Sequence, residues 1–267
     1  MDEIEKPINR GAIRQLIGKE YYITKRKLDW FFGDKKWSKQ FDGIIFNNKL
    51  FKHRSFIRRK LKDVDMHLQE NKVTNLRLAI EKIDRVVIKP GETFSIWKLV
   101  GRPTRRKGYL EGLVLNQGAI DKGVGGGLCQ LGNLLFWMFA HSPLEIKERY
   151  RHGFDVFPDI NRKIPFGAGA TLAYNHIDLQ VKNNTDKTFQ IKLWLDSEYL
   201  NGELLSDTII EERYIVEERN HIMKQQMWGG YSRHNQIYKT VICEDDRIEE
   251  SLLVENHAVM MYNPFLE

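Results

Sequence analysis

A thiol, an imidazole and a carboxylate follow one another along the chain as Cys129, His152 and Asp178. A cysteine at a helix start, a histidine after the helix and an acid on a later strand can together attack an amide or ester carbonyl. The imidazole takes the thiol proton, and the acid holds the imidazole. Cys129 stands two residues after Gly125-Gly126-Gly127 and opens an apolar run that includes Leu131, Leu134, Leu135, Phe136, Trp137, Met138 and Phe139. A thiol in the first turn of a helix meets free N–H groups and the positive end of the macrodipole, which predicts a lowered pKa. Gln130, or the amides of Gly125, Gly126 and Gly127, would then form an oxyanion hole worth ~3 kcal/mol per donor. His176 is the reserve base, and Asp155 and Asp159 are the reserve orienting acids. The opposing reading makes Cys129 a small buried hydrophobe.

Other chemistries find less in the sequence. Cys129, His152 and His176 lack the paired spacings of a zinc site, so no metal is expected. No Gly-Lys-Ser/Thr follows the glycines, which removes the P-loop, and no cofactor is expected. Ser95 has no base near it in sequence and reads as a turn serine. Cys129 and Cys243 are too few for a disulfide framework. Arg102, Arg105 and Arg106, just upstream of the glycine loop, are guanidinium groups able to hold a carboxylate bidentately.

The elements that must position these groups follow from pattern. Apolar residues surround most of the helical wheel after Cys129, which predicts a buried central helix ended by Ser142-Pro143. Residues 1–68 read as a basic helical region, with an interrupted apolar stripe through Leu16, Ile17, Tyr21 and Leu28 to Phe32. Its cation run Lys52 to Lys62 reads as a solvated helix face or as a peripheral contact for a membrane surface. Thr74 to Ile83 has one-face helical spacing, Val86 to Ile88 is a short strand, and a further strand surrounds Leu113 to Leu115. Alternation through Ile177, Leu179 and Val181, and again from Phe189 to Leu195, predicts a hairpin turning at Asn183 to Asp186. Asn201-Gly202 predicts a second tight turn. Three more strands are expected in 207–218, 236–243 and 252–262, with a polar loop at 228–235.

Helices before residue 142 and strands after 170 define an α+β fold, a central apolar helix on an antiparallel sheet of four to six strands. The thiol–imidazole–acid order makes the papain- and transglutaminase-like folds the nearest analogy. The expected division is a helical region over 1–68 and an α+β domain over 69–267.

The 267 residues carry 42% hydrophobic content, enough for a sizeable core, and a formal net charge of +6 suits acidic partners. Nucleic acid is disfavoured, because aromatic residues do not interleave with the basic runs. The opening MDEIEKPINRG has no apolar signal region and no window is long and apolar enough for a transmembrane segment, so the expected location is cytoplasmic.

Several stretches together resemble the VanW family: GGGLCQLGNLL, HSPLEIKERYRHGFDVFPD, IDLQVKNNT and, upstream, PGETFSIWKLVGRPTRRKGY from Pro90 to Tyr109. The C-terminal YSRHNQIYK and ENHAVMMYNP resemble its shorter members. The resemblance implies an accessory role in glycopeptide (vancomycin) resistance and a cell-wall setting. Two readings follow: a cysteine-dependent hydrolase or acyl transferase acting through Cys129, or a non-catalytic module holding a peptidoglycan precursor or another anionic ligand. Where longer relatives carry an acid before an Ala-Thr step, this chain has Gly169-Ala170-Thr171.

Overall fold

The structure, a computed structural model, describes residues 11–41, 43–58, 65–116, 118–156 and 164–264. In chain order the elements begin α1 (Ala12–Phe32), β1 (Lys39–Gln40), β2 (Asn48–Phe56), α2 (Met66–Ile83), β3 (Val86–Ile88), β4 (Thr93–Ser95) and α3 (Ile96–Val100). Next come β5 (Glu111–Asn116), β6 (Ala119–Val124), α4 (Cys129–Ala140), β7 (Glu145–Glu148), β8 (Phe154–Asp155) and β9 (Gln180–Lys182). The chain continues through β10 (Phe189–Leu195), β11 (Tyr199–Ser206), β12 (Arg213–Gln225), β13 (Tyr231–Ile242) and β14 (Ile248–Met260). The fold is mixed α+β, dominated by sheet.

The largest sheet is antiparallel throughout, in the order β1-β3-β10-β11-β2. Helix α4 lies on it against β2 and β11, and its Leu131, Leu135, Phe136, Met138 and Phe139 are fully buried. A helix apolar on nearly all sides must be covered on nearly all sides, and the other elements supply that cover. A three-stranded sheet in the order β4-β9-β7 and the hairpin β5–β6 adjoin this core. A four-stranded sheet, β12-β13-β14 antiparallel with β8 parallel to β14, completes the molecule. No helix of the described residues is long and apolar enough to cross a membrane.

Four local expectations are corrected. Residues 48–56 form the edge strand β2, not a helix. Outward Lys52 and Arg54 alternate with less exposed Phe51, His53 and Ser55, the two-residue period of a strand. Arg59 to Lys62 lie outside the described residues. The hairpin predicted across Asn183 is absent: β9 pairs with β4 and β7, whereas β10 pairs with β3 and β11. Asn183 moves the chain between sheets, its Nδ2 donating to Ile88 O at 2.9 Å and Lys187 O at 2.7 Å. Asn201-Gly202 is not a turn but the middle of β11, where a β-carbon on Gly202 would overlap Met138 and Leu134 of α4. The turn falls earlier, where the Asp196 carboxylate accepts from the amides of Glu198 and Tyr199 at 2.8 and 2.7 Å. In the C-terminal sheet, the loop expected at 228–235 shrinks to a turn through Gly229 and Gly230, both at positive φ, and Tyr231 already belongs to β13.

Candidate functional site

The loop before α4 is built on close backbone approach. A β-carbon on Gly126 would overlap the Gly112 carbonyl on β5, and Gly127 takes φ +91° against the stem of Lys72. Buried Asn75 of α2 locks the loop, donating from Nδ2 to Gly126 O at 2.9 Å and to Leu110 O at 3.0 Å. Its Oδ1 accepts from the Leu110 amide at 2.8 Å.

This construction removes the predicted oxyanion donors. Gly125, Gly126 and Gly127 donate to the carbonyls of Leu110, Gly123 and Leu113 at 3.0, 3.0 and 2.9 Å. Gln130 turns away, donating from Nε2 to Ser55 Oγ and Phe56 O, both at 2.9 Å, and so ties α4 to β2. The amide of Leu128 has no hydrogen-bond partner among the described residues.

Cys129 is the first residue of α4, as predicted, but its thiol does not behave as predicted. Its Sγ accepts from the Leu172 amide at 3.4 Å and donates to the Leu172 carbonyl at 3.8 Å. The residue as a whole is partly exposed, whereas its sulfur is enclosed, and burial pushes the thiol above its ordinary pKa. Hydrogen bonds from the amides of Leu172 and of Cys129 itself pull the other way and are the weaker influence.

His152 lies beside the same segment. Its amide donates to Thr171 Oγ1 at 3.1 Å, one residue from the Cys129 contact, and its Nδ1 is buried with no partner among the described residues. Burial lowers its pKa, assisted by neighbouring Arg151 and Arg149. Thiol and histidine are thus attached to adjacent residues, Leu172 and Thr171.

Asp178 is occupied elsewhere, a correction to its predicted role of orienting His152. Fully buried, it accepts from Ser95 Oγ at 2.5 Å, the Trp97 amide at 3.2 Å, the Leu179 amide at 2.9 Å and Gln180 Nε2 at 3.2 Å. Arg26 stands 3.6 Å from it and forks onto Glu148 at 2.7 and 2.8 Å. Burial raises the Asp178 pKa to about 6, Ser95 opposing the shift and Glu148 adding to it. Ser95 also caps α3 through the Lys98 amide, so the expected turn serine is a cap bound to an acid.

The reserve groups separate as well. His176 packs on Tyr22 of α1, with ring centroids 4.8 Å apart. Asp155 pairs with Arg233 at 3.3 Å and accepts from the Tyr262 hydroxyl at 3.0 Å, facing the C-terminal sheet. Asp159 lies outside the described residues. Arg102 reaches Glu20 at 3.3 Å, Arg105 pairs with Glu111, and Arg106 is exposed. Pro103 lies close enough to Gly125 that a β-carbon there would collide with it, so this basic turn rims the glycine loop. Among the described residues no group of three His, Cys, Asp or Glu side chains is placed to hold a metal ion.

Two residues outside the predicted site organise it. Asn133, a lone amide in the apolar run of α4, accepts from the Ala170 amide at 2.9 Å and leaves no room for a β-carbon on Gly169. A single polar residue in such a run was the available signal. Arg149 donates to the carbonyls of Gly167 and Gly169, the latter at 2.8 Å, and to Asn256 Oδ1 at 3.0 Å. Burial, helped by Arg151, lowers its pKa to about 9.

Against known proteins, the chain is 45% identical over 143 residues to the vancomycin B-type resistance protein VanW of Enterococcus faecalis, covering 54% of this chain and 52% of that protein. It is 33% identical over 121 residues to the uncharacterized protein YoaR of Bacillus subtilis, covering 44% of this chain and 37% of that one. The chain therefore spans about half or less of the length of these relatives. No solved structure matches it. A family model described as VanW like protein matches residues 71–205, from α2 to β11, and leaves α1 and β12–β14 outside. That match takes in the glycine loop, α4 and the 149–172 segment, and the chain belongs to the VanW family.

Proposed function

We propose that this chain is an accessory module of glycopeptide resistance that binds an anionic cell-wall precursor at the rim of its glycine loop. The observation that supports this reading is the close approach to Gly125 of Pro103, which stands between Arg102 and the run Arg105-Arg106-Lys107 in the chain. Arg102 and Arg105 are held by single exposed carboxylates, Glu20 and Glu111, which a phosphate- or carboxylate-bearing ligand can displace. The resistance context comes from the printed name of the Enterococcus relative.

A second reading keeps the chemistry at Cys129, with a covalent attack on an amide or ester carbonyl. It is favoured by the unpartnered amide of Leu128 and by the unpartnered Nδ1 of His152. The raised thiol pKa weighs against it, because the thiol rather than the thiolate dominates at neutral pH.

Calorimetric titration with a soluble peptidoglycan precursor bearing phosphates and carboxylates separates the two. Binding should weaken as salt rises, fall at least roughly tenfold in Arg105→Glu/Arg106→Glu and survive in Cys129→Ala. Affinity indifferent to salt and to the charge reversal overturns the binding module. A turnover lost in Cys129→Ala, together with alkylation in the Cys243→Ser background titrating below the ordinary thiol value, establishes the second reading.

A further inference from the structure

Helix α1 carries two opposite faces. One is held to the core: Ile23 is buried, its carbonyl accepts from Asn175 Nδ2 at 3.2 Å, Arg26 pairs with Glu148, and half-buried Trp30 meets Trp37 with ring centroids 6.3 Å apart. These residues are spaced by three and four, so they share one side of the helix. The other side bears Ile13, Ile17, Tyr21, Leu28, Phe31 and Phe32, again at multiples of a helical turn, and it faces solvent. Ile13 is 76% exposed, Ile17 65%, Phe31 81% and Phe32 73%. Scattered exposed apolar residues are ordinary, but six on one side of a helix of 21 residues, interrupted there by Thr24, are not.

The charge around the stripe selects the partner. Residues 11–40 hold eight Lys and Arg against three Asp and Glu, in a chain whose net charge is +6. Arg14 and Lys25 flank one border of the stripe, and Lys27 flanks the other together with Glu20, whose carboxylate is paired with Arg102. A basic helix with an aliphatic and aromatic opposite face is suited to lie in the plane of a bilayer, its apolar side at the acyl boundary and its cations among anionic headgroups. A second copy of this chain fits the surface poorly. A two-fold contact brings the same patch against itself and so sets one basic border, eight Lys and Arg against three Asp and Glu over 11–40, against another.

Among the described residues of the run first assigned to a membrane role, three cations have partners. Lys52 lies 3.5 Å from Glu203, Arg54 stacks on Tyr199 at 4.4 Å, and Arg58 pairs with Glu70 at 2.7 Å. We propose that α1 docks this protein on an anionic lipid surface through the face bearing Ile13, Ile17, Tyr21, Leu28, Phe31 and Phe32. This surface lies outside the residues that match the family model.

The test is co-sedimentation of the full chain with vesicles of phosphatidylcholine alone and of an equimolar phosphatidylcholine–phosphatidylglycerol mixture. The protein should pellet with the mixed vesicles and not with the neutral ones. Binding should be released on going from about 0.1 M to about 1 M NaCl, which shortens the Debye length from about 10 Å to about 3 Å. Ile17→Asp/Phe31→Asp should abolish binding with an unchanged melting temperature and circular dichroism spectrum. Lys25→Glu/Lys27→Glu, which touches no packed residue, should weaken it roughly tenfold or more and keeps the test open if the first variant unfolds. Three results overturn the proposal: no binding to either vesicle, equal binding to both, or a dimer in sedimentation equilibrium that the Ile17→Asp/Phe31→Asp variant dissociates.

Discussion

Asp178 shows how a side chain that reads as catalytic becomes architectural. Its carboxylate accepts from Ser95, Trp97, Leu179 and Gln180 while Arg26 approaches from α1, so it joins α3, β9 and α1. The low-dielectric setting still favours the protonated acid, raising the pKa from 3.8 to about 6. Between those values the folded protein holds a proton that the unfolded chain has released, so stability falls as pH rises through this window. At about 1.4 kcal/mol per unit, the loss is on the order of 3 kcal/mol. Urea unfolding of the wild type and Asp178→Asn at several pH values should show the variant without this downward contribution between pH 4 and 6. Parallel pH profiles for the two proteins would refute it. Cys129 teaches the same lesson: a helix start favours a thiolate, yet enclosure by α4 and the Leu172 backbone outweighs that electrostatic gain.

Among the elements, the approach of the glycine loop to β5 is the contact with least tolerance. A β-carbon on Gly126 would meet backbone rather than the end of a movable side chain, so β5 or the loop must shift. Gly126→Ala should cost about 3 kcal/mol in chemical denaturation, whereas Gly153→Ala, with open space at that position, should stay within about 0.5 kcal/mol of wild type. Equal stability of the two variants would show that the loop is not held as described. Gly202 is gentler, because the Met138 thioether and Leu134 methyl above it belong to flexible side chains, and Gly202→Ala should cost about 1 kcal/mol.

Across the whole molecule, polar ties join the C-terminal sheet to the core. Arg149 reaches Asn256 of β14, and Lys239 of β13 donates to the Ser142 carbonyl just beyond α4, its amine 5.1 Å from the Tyr214 ring centroid. Burial lowers the Lys239 pKa from 10.5 to about 8. From pH 8 upward the unfolded chain keeps a proton that the folded state releases, so this group adds stability as pH rises toward 10.5. Lys239→Met should remove a rise on the order of 3 kcal/mol over that span, read as the difference between the pH profiles of the two proteins. A wild-type profile with no such excess would place Lys239 in water rather than against the core.

Periodicity and breakers determined the local structure here. The apolar run after Cys129 is long enough and apolar on enough sides to be a buried helix in any packed arrangement, and Ser142-Pro143 ends it. Val86 to Ile88 and the C-terminal strands were readable for the same reason, since alternation and β-branching act within a few residues. Family membership too was visible in the motif string from Pro90 to Thr185. Tertiary structure alone decided partners. Whether strand 180–182 folds back on 189–195 or crosses to another sheet depends on what Asn183 can reach, which alternation does not encode. Whether Asn201-Gly202 turns or stays extended depended on α4 needing a surface without a β-carbon. The candidate triad followed the same rule: a sequence gives the order of a thiol, an imidazole and an acid, but hydrogen-bond partners and burial are set by long-range packing, and packing gave Asp178 to Ser95 and Trp97.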